Sequence, residues 1–89
     1  MGTTAMADVK WIDDTAYMDR AMAAYYRAKR SPQEVHQQPS RSDSGAVEYA
    51  GKRYVVLANG NGILAVYRIK VDGFLKRLKR WPEALDQAR

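Results

Sequence analysis

The sequence predicts an α+β fold: an N-terminal amphipathic helix packed on one face of a three- to four-stranded antiparallel β-meander, followed by a short C-terminal helix. Three observations predict it. Apolar residues recur at helical spacing before residue 30 and at alternate positions after residue 46. Two turn signals, Asn59-Gly60-Asn61-Gly62 and Asp72-Gly73, cut the alternating half into strands. The 89 residues suffice for a single domain and no more.

Residues 1–7 read as a leader or frayed start. Residues 8–30 read as the N-terminal helix with an entry segment at Trp11-Ile12. Asp13, Asp14 and Thr15 are N-cap types, and the acids suit the positive end of the helix dipole. Tyr17, Met18, Ala21, Met22, Tyr25 and Ala28 form the apolar stripe, and Pro32 stops the helix. Residues 31–45 are polar and punctuated by Pro32 and Pro39, the composition of a mobile linker or long loop. His36, the only histidine, lies there with no acid–base or metal-ligand partner nearby in sequence, so it reads as a solvated loop residue.

Residues 46–89 form the basic meander with its terminal helix. Val47-Glu48-Tyr49 precedes the turn pair Ala50-Gly51, and Arg53–Ala58 is a strand by composition. Ile63–Val71 is the next strand and Phe74–Lys79 the last; Pro82 opens a short helix. Phe74, Leu75, Leu78 and Trp81 are also spaced like a basic amphipathic helix, but Asp72-Gly73 directly follows a strand and asks for its partner. A two- or four-residue loop within Asn59–Gly62, with Asp72-Gly73 as the second turn, would put Tyr54, Val56, Ala58, Ile63, Ala65, Tyr67, Ile69, Val71, Phe74 and Leu78 on a core face under the helix, with Lys76 as its lone charge. The other face would carry Val55, Leu57, Leu64, Val66, Leu75 and Trp81 beside Arg53, Arg68, Lys70, Arg77 and Lys79.

That register aligns Arg53, Arg68 and Arg77 on three neighbouring strands. Like charges directly opposite destabilise a sheet, by up to about 1 kcal/mol each. A bound anion would relieve them; alternatively Glu48 neutralises Arg53 and the arginine stems merely shield apolar surface. The charge is lopsided in the same direction. Residues 1–45 carry six Lys/Arg and six Asp/Glu, residues 46–89 nine and four, so the net +5 lies wholly in the second half. Such asymmetry suits polyanions or acidic protein surfaces.

Enzymatic signatures are lacking. There is no cysteine, no phosphate-cradling glycine loop and no metal-ligand spacing, and the acids have turn or helix-start roles. The expectation is a non-enzymatic binding protein of reducing, cytoplasmic type, without cofactor, metal or membrane span. Its candidate nucleic-acid or anion-binding residues are Arg53, Arg68, Lys70, Lys76, Arg77, Lys79 and Arg80. The alternative is a protein–protein interaction module, an adaptor or inhibitor, or a homodimer, with Val55, Leu57, Leu64, Val66 and Trp81 as interface. The outline of strands followed by a helix is similar to sheet-reading DNA-binding modules such as the arm-binding domain of tyrosine recombinases, in topology and without a shared motif.

Overall fold

The computed structural model describes residues 9–28 and 38–87. Among them five strands and two helices follow in the order β1 (Lys10–Ile12), α1 (Thr15–Arg27), β2 (Gly45–Tyr49), β3 (Lys52–Asn59), β4 (Gly62–Ile69), β5 (Leu75–Arg77) and α2 (Glu83–Gln87). The strands form one antiparallel sheet in chain order, β1-β2-β3-β4-β5. The α+β class with an antiparallel sheet and a helix is therefore present, but the sheet has five strands rather than three or four, and the helix follows a first strand. The expected leader, His36 and the Pro32 helix stop lie outside the described residues.

The extra strand comes from the helix entry. Lys10–Ile12 is extended and pairs with β2, Lys10 opposite Glu48 and Ile12 opposite Ala46. Asp14 then caps α1, its Oδ1 accepting the Tyr17 N–H at 3.4 Å. Helical conformation ends at Ala28, which is extended while its N–H still bonds the Ala24 carbonyl. Met18, Ala21 and Tyr25 are the buried stripe.

Residues 38–44 are not a free linker. Pro39 is buried. The Ser40 N–H bonds the Ala58 carbonyl at 2.9 Å. Ser44 Oγ accepts the Ala58 N–H at 3.0 Å and donates to the Ala58 carbonyl at 3.2 Å. These bonds satisfy the backbone of β3 where its own ladder is disturbed. A bulge lies there: Leu57 pairs with Ala65 and Ala58 with Ile63, leaving Leu64 without an opposite residue.

The bulge corrects the predicted faces. An extra residue reverses the in–out alternation of everything beyond it. On the helix side lie Val55, Leu57, Ala65, Tyr67 and Ile69, packed with Met18, Ala21 and Tyr25. On the opposite side lie Val47, Tyr54, Val56, Ala58 and Val66, packed with Leu85 of α2 and flanked by Leu78 and Trp81. Both faces are thus covered. Val55, Leu57 and Val66, expected on an open interface, are each 0% exposed. Leu64 is half-buried against the helix-side core, and Trp81 half-buried on the α2 side.

The second correction is the β4–β5 turn. Ile69, not Val71, is the last paired residue of β4, and it faces Leu75. A three-residue loop, Val71-Asp72-Gly73, closes through Gly73 N–H to the Lys70 carbonyl at 2.8 Å, with Gly73 at φ +88°. Glycine takes this left-handed conformation without a Cβ penalty. The Asp72 carboxylate accepts the Phe74 N–H at 3.1 Å. Val71 and Phe74, expected in the core, consequently lie in solvent.

Candidate functional site

The β2–β3 and β4–β5 turns bring four cations to one end of the sheet. Ala50 and Gly51 both take positive φ, +54° and +76°, which makes a tight two-residue hairpin and delivers Lys52 and Arg53 immediately after it. Arg53 pairs with Ile69, so Arg68 and Lys70 flank that position on β4. Lys52, Arg53, Arg68 and Lys70 line a shallow cleft of ≈ 160 Å³ with Gly51, Ile69 and Val71.

The charges in this cleft are not internally neutralised. Glu48 does stand opposite Arg53 in the register, as the sequence implied. Yet among the described residues the one ion pair joins Arg41 to Asp19, at 2.7 Å between two largely exposed side chains. Asp72, the acid of the adjoining turn, is engaged by the Phe74 N–H. Arg68 is hemmed in most tightly: Tyr54 lies opposite on β3 and Lys76 opposite on β5. Its Nε is buried and has no hydrogen-bond partner. A buried donor left unpaired costs about 1–3 kcal/mol, more where the group is charged. Arg53 is held differently, its guanidinium 5.9 Å from the Tyr17 ring centroid.

The expected Arg53–Arg68–Arg77 row does not form, because the bulge places Arg68 on the α2 side while Arg53 and Arg77 lie on the helix side. Arg53, Arg68 and Lys70 are nevertheless brought together at the strand ends. Lys76, exposed beside Arg68, extends that group. It is not on the helix-covered core face assigned to it.

Arg77 sits elsewhere, opposite Tyr67 and 5.5 Å from the Tyr25 ring centroid. Burial pushes the Tyr67 phenol above its usual value of 10.0; the Arg77 charge opposes this and Tyr25 adds to it. Arg77 and Lys79 line a separate recess of ≈ 520 Å³ with Leu64, Ala65, Leu78 and Trp81. Trp81 is pinned there, its Nε1–H reaching Asp86 Oδ1 at 3.5 Å. Arg80 is exposed in the bend before α2 and lines neither recess. Lys52 was missed by sequence reasoning. Its position directly after a Gly turn, with Lys70 directly before the other turn, was the available signal.

No group of three or more His, Asp or Glu among the described residues is placed to hold a metal ion. No described helix is long and apolar enough to cross a membrane. No protein-family model, curated protein or solved structure matches the chain.

Proposed function

We propose that the protein is a non-enzymatic nucleic-acid-binding protein that takes phosphates of the backbone in the cleft of Lys52, Arg53, Arg68 and Lys70, with Lys76 alongside. The observation that carries this reading is a set of four clustered cations without a carboxylate counter-ion among the described residues. A phosphate supplies what the cleft lacks: negative charge against mutually repelling side chains. Neutralising phosphates also releases their condensed counter-ions, which favours binding at low salt. The competing docking mode, through an apolar sheet face, is less favoured, since α1 and α2 cover Val55, Leu57 and Val66 and only Leu64 and Trp81 of that face stay half-buried.

Fluorescence anisotropy with a labelled oligonucleotide tests the proposal. The affinity is expected to fall steeply with salt. The double variant Lys52→Glu/Lys70→Glu, which alters only exposed side chains, is expected to bind at least about tenfold more weakly with a salt slope shallower by about 2. A wild-type Kd that is millimolar at low salt, or indifferent to salt, overturns the reading.

A further inference from the structure

The β4–β5 turn holds two apolar side chains in water. Val71 is 107% exposed and Phe74 64%. The turn itself needs neither: its bonds run between backbone groups and through the Asp72 carboxylate. Phe74 forms the wall of a recess of ≈ 390 Å³ whose other lining comes from Leu75 and from Arg20, Ala23, Ala24 and Arg27 of α1. The two alanines keep the floor low beside the ring. Arg20 and Arg27 are two helical turns apart, about 10 Å along the axis, on the same side of α1. Both are exposed, and neither is ion-paired with a carboxylate among the described residues. Arg20 rests 5.0 Å from the Tyr17 ring centroid.

Phe74 therefore adjoins two cationic sites. On one side is the cleft containing Lys70, whose N–H bonds the Phe74 carbonyl at 2.8 Å. On the other is the arginine pair of α1. We infer that the ligand of the basic cleft is single-stranded nucleic acid, with an unpaired base stacked on Phe74 and its flanking phosphates divided between the cleft and Arg20/Arg27; this inference rests on the nucleic-acid reading above.

Two physical facts select a single strand. A duplex base already has both faces covered by its neighbours, so an exposed ring gains no stacking partner from it, whereas every unpaired base offers a π-face. The two cationic sites also lie on either side of a tight turn. A single strand follows that path freely, while a duplex would have to bend locally, at a cost of about 1–6 kcal/mol.

The test compares one labelled sequence as single strand and as duplex at low salt, for the wild type and for Phe74→Ala, Phe74→Tyr and Lys52→Glu/Lys70→Glu. Far-UV circular dichroism checks each fold, and the exposure of Phe74 makes the substitutions structurally mild. The wild type is expected to prefer the single strand by about tenfold or more, the contribution of roughly one stacked base. Phe74→Ala should abolish most of that preference while leaving duplex affinity unchanged, and Phe74→Tyr should retain it. Equal affinity of the wild type for both forms overturns the inference alone. So does single-strand affinity unmoved by Phe74→Ala. If the lysine double variant binds both forms as tightly as the wild type, the phosphates do not lie in the cleft and this inference falls; if the wild type binds neither form better than millimolar at low salt, the nucleic-acid reading falls and this inference with it.

Discussion

Ser44 bonds both backbone groups of Ala58, a residue with no exposed surface, at the point where the bulge interrupts the ladder. Ser44→Ala leaves a buried N–H without an acceptor, and the penalty for such a group is about 1–3 kcal/mol. Urea denaturation should therefore show a loss of that size. The β2–β3 turn offers the opposite case. Ala50 sits at φ +54°, where a Cβ is crowded by the following carbonyl at a cost of roughly 1–2 kcal/mol. Asparagine tolerates this conformation, and Asn-Gly is the favoured pair for such a hairpin turn. Ala50→Asn is expected to stabilise the fold by about 0.5–1 kcal/mol, read as a higher urea midpoint at unchanged m-value. Both effects were invisible in the sequence. Ser44 looked like one of several linker serines, and nothing in Ala50-Gly51 says that alanine must adopt a left-handed conformation.

Among the elements, α2 spans only five residues, yet its Leu85 is 1% exposed and fills the centre of the second core cluster. Leu85→Ala should cost about 2–5 kcal/mol, a large share of the stability of so small a domain, and its thermal midpoint should fall accordingly. On the helix side, Tyr67 gives the core a pH dependence. Its phenol pKa is raised in the fold, chiefly by burial, so the folded chain keeps a proton that the unfolded chain loses above about pH 10. Stability is thus intact below the unfolded value and declines as pH rises beyond it. In Tyr67→Phe that decline should be shallower, which denaturation at a series of alkaline pH values measures. Element types were largely legible: the helical stripe of α1, the Asn59–Gly62 and Asp72-Gly73 turns and the strand composition all pointed correctly. Register was not. A single unpaired residue, Leu64, and one extra loop residue at Val71 each reverse in–out alternation, and neither changes the local composition that periodicity reads. The same blindness broke the predicted arginine row. Arg53, Arg68 and Lys70 still converge because the two turns set them at strand ends, independently of the face each occupies.

Across the whole molecule, positive charge and stability pull against each other. Lys76 stands directly opposite Arg68 with no acid between them. Lys76→Glu should stabilise the fold by a few tenths to about 1 kcal/mol at low salt while weakening oligonucleotide binding, a pair of opposite shifts that denaturation and anisotropy measure on one variant. The coverage of the sheet from both ends of the chain has another consequence. β1 and α1 precede the central strands, and the segment from Leu78 to Leu85 that closes the opposite face follows them. During synthesis, at about 5–20 residues per second, the strands emerge before that closing segment does. Until it docks, the nascent sheet presents Val47, Val56 and Val66 to the surroundings as a sticky surface. A chain released without that segment would keep its helix-side core and leave its other flank bare, the form most in need of a chaperone.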